Sequence, residues 1–148
     1  MPVVVIWGDD QPKCESEVEK IITKNVSQTW GDLNISKFNG DEFNQVFQAL
    51  DEVQTPPLGD GSRIILIKNN PIFNNKDDLL QKKFEFHAPN IPDSTFLILQ
   101  SNQKPDSRMK STKFLKELIN DNRAKEISYK LPDIWDSDQQ IKYVEKMC

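Results

Sequence analysis

Two adjacent carboxylates, Asp9 and Asp10, follow a lone glycine, Gly8, directly after the first apolar run of the chain. An α/β sheet binds ligands beyond the carboxyl ends of its strands, so nucleotide or divalent-cation chemistry would sit at this place. A phosphate cradle needs Gly-x-x-x-x-Gly-Lys-Ser/Thr, whose backbone N–H groups and lysine wrap the phosphates. Gly8-Asp9-Asp10-Gln11-Pro12-Lys13 offers instead one glycine, two negative charges and a proline without an N–H. Those charges compete with phosphate for the positive end of the following helix. A dinucleotide fingerprint is missing for the same reason. Two uses remain for the pair. Asp9 or Asp10 caps the first helix, or both hold Mg²⁺ in a Mg- or nucleotide-dependent α/β enzyme. A receiver-like version of the second use also wants a phosphorylatable Asp after the third strand, where Lys68-Asn69-Asn70 stands.

Other reactive types are sparse. The single histidine, His87, lies beside Phe86 at a helix end, where packing roles prevail. No Ser or Cys sits in a nucleophile elbow. Asp77-Asp78 reads as a pair of first-turn helix charges. Cys14 and Cys148 are too few and too far apart for a disulfide framework or a zinc site, and reduced thiols are expected. The catalytic alternatives are therefore thin, and no catalytic residue, cofactor or metal is expected apart from the Mg²⁺ alternative at Asp9 and Asp10.

Composition narrows the classes further. The chain has 148 residues, 36% hydrophobic and 28% charged, which predicts one domain with a short appendage. A chain of this length buries ~70% of its unfolded surface, enough for a core without staples. A net charge of -4 and a pI near 5.0 argue against coating nucleic acid by bulk charge. Mean hydropathy is -0.63, and no run approaches the ~18 apolar residues of a membrane span. The opening Met1-Pro2-Val3-Val4-Val5-Ile6-Trp7 has no basic n-region, so no signal peptide and a cytoplasmic location are expected. The sequons at Asn25 and Asn34 then carry no glycosylation.

The elements that must position these residues alternate along the chain. Residues 3–7 form an apolar run of strand length, as a two-sided parallel sheet demands. Residues 15–26 place Val18, Ile21, Ile22 and Val26 on one helix face. A weak strand over 35–38 ends at Asn39-Gly40. Residues 41–53 carry Phe43, Val46, Phe47, Leu50 and Val53 at helical spacing. Two prolines and two glycines make 55–61 a loop. Strands over 64–67 and 95–99, helices over 77–86 and 107–120, and a short strand over 126–129 follow. After Leu131-Pro132, residues 137–147 read as an amphipathic helix with Ser137 as N-cap. The β-α alternation predicts an α/β fold with a mainly parallel, five-stranded sheet and helices on both faces.

Four segments carry a resemblance. Trp7-Gly8-Asp9-Asp10 closes the first strand, and Phe38-Asn39-Gly40-Asp41-Glu42 leads into the second helix. Thr55-Pro56-Pro57-Leu58-Gly59-Asp60-Gly61-Ser62-Arg63 runs into the Ile64-Ile65-Leu66-Ile67 strand. Lys104-Pro105-Asp106-Ser107-Arg108-Met109-Lys110-Ser111-Thr112-Lys113 follows the fourth strand. In order and spacing the chain resembles the N-terminal part of the delta-subunit family of bacterial DNA polymerase III, a component of the sliding-clamp loader. The resemblance implies a Rossmann-like, AAA+-type domain over 1–131 that lacks its P-loop. A truncated helical, lid-like domain would begin at 132. It also implies no chemistry in this domain. Such a domain binds the ring-shaped clamp and helps open it for loading onto primed DNA, while ATP-binding sibling subunits supply the energy.

The family's clamp-binding element lies between the second helix and the third strand and inserts a hydrophobic pair. Carried onto this chain, it comprises Pro57, Leu58 and Gly59. Leu58 matches, whereas Gly59 stands where an aromatic is usual. Weaker binding follows, or compensation by Pro56, Pro57 and Val53. Alternatively Leu58 tucks into its own core beneath the proline-rich turn. The basic run over 104–116 offers Lys104, Arg108, Lys110, Lys113 and Lys116 against Asp106. It either contacts DNA phosphate or a neighbouring subunit, or forms a solvated helix face with Arg108 paired to Asp106. A scaffold domain that packs only on later parts of its own subunit is a third reading.

Overall fold

Five consecutive apolar residues leave β1 (Val3–Trp7) buried on both faces, which sets it inside the sheet. The computed structural model describes residues 2–59 and 61–130. In it β1 pairs with β4 (Thr95–Ser101) on one side and β5 (Ala124–Ser128) on the other. Beyond β4 lie β3 (Arg63–Lys68) and then β2 (Ile35–Asn39), giving the order β2-β3-β4-β1-β5. Every neighbouring pair is parallel. The two rim strands carry exposed charges, Lys37 on β2 and Lys125 and Glu126 on β5, which discourage pairing with another chain.

Parallel neighbours need crossovers, and four helices supply them: α1 (Gln11–Asn25), α2 (Phe43–Glu52), α3 (Asp78–His87) and α4 (Lys110–Asn120). Side chains alternate across each strand, so the core has two halves. Val3, Val5, Ile65, Ile67, Leu97 and Leu99 face α2, α3 and α4, which contribute Val46, Leu50, Leu80, Phe84, Leu115 and Leu118. Val4, Ile6, Ile64, Leu66 and Ile98 face α1 through Cys14, Val18, Ile21 and Ile22. The expected α/β fold, with helices on both faces of a five-stranded parallel sheet, is the one observed.

Element ends differ from the periodicity for local reasons. Helix α1 begins at Gln11, not at 15, because Asp10 caps it and Pro12 suits a first turn. Its first turn is polar and invisible to an apolar pattern. Helix α4 begins at Lys110, not at 107, because Asp106 and Arg108 close a turn ahead of it. Strand β5 starts at Ala124, where its register with Val3 begins, although Lys125 and Glu126 give no apolar signal. The helix expected over 137–147, and the second domain expected from 132, lie outside the described residues. No helix among the described residues is long and apolar enough to cross a membrane.

An all-parallel sheet sorts its loops. Helix-to-strand connections emerge at the amino edge, and strand-to-helix connections at the carboxyl edge, one strand length away.

Candidate functional site

The loop after β1 is at the carboxyl edge, and the backbone donors of Gly8, Asp10, Lys13 and Cys14 are occupied. The Gly8 N–H donates to the Ser101 carbonyl at 3.3 Å and the Asp10 N–H to the Tyr129 carbonyl at 3.1 Å. The Lys13 N–H donates to Asp10 Oδ1 at 3.3 Å, and the Cys14 N–H to the Asp10 carbonyl at 3.1 Å. The Gln11 side-chain amide then fills the hollow by donating to the Gly8 carbonyl at 2.6 Å and the Ser101 carbonyl at 3.3 Å. Asp10 is therefore the cap of α1. Its other carboxylate oxygen lies 3.7 Å from the Lys13 ammonium, while Asp9 is exposed beside it. A phosphate cradle needs consecutive outward N–H groups, and here those of Gly8 and Asp10 are spent on Ser101 and Tyr129 while those of Lys13 and Cys14 are spent on Asp10. Among the described residues no group of three or more His, Cys, Asp or Glu is placed to hold a metal ion.

The other reactive types take packing roles. His87 Nε2 lies 3.3 Å from Asp51 Oδ1, joining α3 to α2. Burial, and then the charges of Asp10 and Glu15, push the Cys14 thiol pKa up and keep it protonated.

At the amino edge the loop between α2 and β3 is held quite differently. Asn34, fully buried at the end of the 3-10 turn Gly31–Asn34, binds the backbone of Leu58 on both sides. The Leu58 N–H donates to Asn34 Oδ1 at 2.7 Å, and Asn34 Nδ2 donates to the Leu58 carbonyl at 2.8 Å. With its backbone captured, Leu58 turns its side chain out and leaves it 53% exposed. Pro57 is half-buried and Pro56 exposed. Leu58 does not tuck into the core. Val53 does, and being fully buried it cannot compensate on the surface.

Gly59 has φ +66°, and a Cβ there would stand 2.5 Å from Trp30 Cδ1 and nearer still to Nε1. The indole of Trp30 thus occupies the space that a side chain at 59 would need. The loop is tied to the α1–β2 connection again further on. Gly61 bridges to Val26, and the Ser62 N–H donates to the Asn25 carbonyl at 2.9 Å.

Arg63 closes the base of this loop. Its Nη2 lies 3.1 Å from Glu52 Oε2 at the end of α2 and 3.3 Å from Ser36 Oγ on β2. Arg63→Ala is expected to cost about 1–2 kcal/mol, because a half-buried, charge-assisted bond is lost at a loop base. Urea unfolding of the parent and variant chains measures this. A change within error of zero would show that the loop closes without the ion pair.

The basic residues lie at the opposite edge, after β4. The Arg108 guanidinium grips Asp106 with two bonds, 3.1 Å from Nε and 3.0 Å from Nη2. These side-chain bonds, with the Arg108 N–H, hold the Asp106 carboxyl down to about 2. Arg108 is thus committed to its neighbour. Lys104, Lys110 and Lys113 are exposed, with the Lys104 carbonyl accepting from Asn74 Nδ2 at 2.9 Å. The structure therefore brings Pro57, Leu58 and Gly59 together with Trp30 and Asn34, and keeps them apart from Lys104, Arg108, Lys110 and Lys113. Asn34 and Trp30 escaped the sequence reading. Their one local signal is a tryptophan, followed by Gly31-Asp32, in a segment with neither helical nor strand period.

The fold and the motifs have counterparts in known proteins. A structure of the Bacillus subtilis DNA clamp loader delta protein superposes with a TM-score of 0.74 at 23% identity, over 90% of this chain and 39% of that one. The likeness supports the α/β architecture. The DNA polymerase III subunit delta of Bacillus subtilis (strain 168) is 28% identical over 137 residues, covering 87% of this chain. The chain spans only 39% of the length of that relative. The family model described as DNA polymerase III, delta subunit, matches residues 5–129, which include the Gly8-to-Asp10 loop, the Leu58 loop and the Asp106–Arg108 turn. The chain therefore belongs to the DNA polymerase III delta-subunit family.

Proposed function

We propose that this chain is the part of a clamp-loader delta subunit that binds the sliding clamp and helps open it for loading onto primed DNA. It acts in the cytoplasm as a binding and mechanical module of the polymerase holoenzyme, and hydrolyses no ATP of its own. The contact is made by Pro57, Leu58 and Gly59. One observation carries this reading: Leu58 is held outward, 53% exposed, by a fully buried asparagine that grips its backbone on both sides. A fixed, solvent-facing leucine on a proline-flanked loop pays little ordering entropy on binding, as an interface anchor requires. The occupied donors around Gly8 and Asp10 support a role without nucleotide. In this reading Lys104, Lys110 and Lys113, exposed at the other edge, meet DNA phosphate or a neighbouring subunit while the first edge holds the clamp. Arg108 supports that turn through Asp106.

A binding isotherm between the chain and the sliding clamp of the same source, at moderate salt and without ATP, tests the reading. Saturable binding is expected. Leu58→Ala should weaken it ~10- to 100-fold, the equivalent of losing most of a buried leucine, about 1.5–3 kcal/mol. Absence of binding by the parent chain at high micromolar clamp would overturn the proposal.

A further inference from the structure

We infer that Trp30 is a second anchor for the clamp, forming with Leu33 and Leu58 one composite contact surface built from two loops. The inference rests on the clamp-binding reading above and extends it to residues outside the α2–β3 loop. Among the described residues the exposed large hydrophobics are Trp30, Leu33, Leu58, Leu79 and Phe86. Leu79 and Phe86 belong to α3, on the flank of the sheet. The other three gather at the amino edge. Trp30 precedes the 3-10 turn that ends in Asn34, Leu33 lies within that turn, and Asn34 holds Leu58. Gly59 lies against the indole.

The packing of Trp30 is one-sided. The missing side chain at 59 lets the ring settle on the docking loop, yet 38% of Trp30 and 60% of Leu33 still face solvent. Three apolar side chains left partly in solvent on two adjoining loops make one exposed apolar surface, of the kind that a partner covers. One half-exposed leucine is too small to hold a protein partner. Interface energy concentrates in a few clustered anchors, with tryptophan the most enriched. The backbone is already committed across the patch, by the Asn34–Leu58 pair and by the Leu33 N–H, which donates to the Trp30 carbonyl at 3.0 Å. A partner that engages Leu58 from solvent therefore meets the indole in the same approach, and the occupant to which this surface commits is the clamp.

The test uses the 148-residue chain in the clamp titration described above, with Leu58→Ala, Trp30→Ala and Leu33→Ala. Hydrogen exchange of the Leu58 amide reports whether Asn34 still holds the loop. Trp30→Ala is expected to weaken clamp binding about 30-fold, the size of an interface hot spot, with the Leu58 amide still protected. Leu33→Ala should weaken it by about threefold. Loss of binding in Leu58→Ala with parent-like affinity in Trp30→Ala would overturn this inference and leave the clamp-binding reading in place. A Trp30→Ala chain that loses binding together with Leu58 protection would also overturn it, since Trp30 would then only buttress the loop. Self-association of the parent chain that is abolished by Trp30→Ala, with clamp affinity unchanged, would assign the surface to a second copy instead. Failure of the parent chain to bind the clamp removes both the reading and the inference.

Discussion

Gly8→Ala is expected to destabilise the chain by about 3–5 kcal/mol and to lower its melting temperature by roughly 10 °C. Gly8 has φ +147°, and a Cβ there would stand 2.6 Å from the carbonyl carbon of Tyr129 and nearer still to its oxygen. That neighbour is backbone, so no rotamer change relieves the clash. The Tyr129 segment is bonded on both sides of Gly8, since its N–H donates to the Trp7 carbonyl at 3.0 Å and its carbonyl accepts from Asp10 at 3.1 Å. Making room for a methyl group therefore pulls the end of β5 away from β1 and disturbs the cap of α1 at once. The signal is the midpoint of thermal and urea unfolding followed by circular dichroism. Parent-like stability in Gly8→Ala would mean that Tyr129 moves freely, contrary to the two bonds that fix it. Gly8 is thus held here by close backbone packing, in the place where a nucleotide-binding relative of this architecture would keep glycine for a phosphate.

Asn34→Ala is the second large effect, and it couples stability to function. The substitution removes both hydrogen bonds to Leu58 and leaves a part-buried N–H and carbonyl without their partners. A cost of about 2–3 kcal/mol follows. The released loop should then exchange its Leu58 amide rapidly and bind the clamp more than ~10-fold more weakly, since ordering must be paid during association. Asn34→Asp separates the two bonds. A carboxylate still accepts from the Leu58 N–H but faces the Leu58 carbonyl without a proton to donate, and it buries a charge. It is expected to be no better than alanine. Urea unfolding and the clamp titration read both variants. Clamp affinity unchanged in Asn34→Ala would separate the grip on Leu58 from binding and place the anchor elsewhere.

Much of this architecture was legible in order but not in detail. The apolar runs over 3–7, 64–67 and 95–99 marked buried strands, because strands covered on both faces show no alternation. The stripe of Val46, Leu50 and Val53 marked α2 for the converse reason. Polar ends were misplaced, as at Gln11 and Lys110, where capping and turn chemistry set the boundary rather than burial. Within the candidate site, Leu58 and the proline-rich loop were found through local composition and family resemblance. Asn34 read only as part of a sequon, and Trp30 as nothing. A gap at Gly59 was expected, whereas in space the gap is filled by an indole from another loop.

What the sequence determined by itself was local: the alternation of strands and helices, the parallel class of the sheet, the unsuitability of Gly8 to Lys13 for phosphate, and the position of an apolar loop residue before β3. Each follows from the periodicity of neighbouring residues or from the backbone limits of glycine and proline. The tertiary structure decided the strand order, which loops share an edge, and whether Leu58 faces inward or outward. The deciding bonds join Leu58 to Asn34, 24 positions away in the chain, and a contact of that range leaves no period in either segment. It forms because the sheet sets β2 beside β3, which brings the turn ahead of one against the loop ahead of the other.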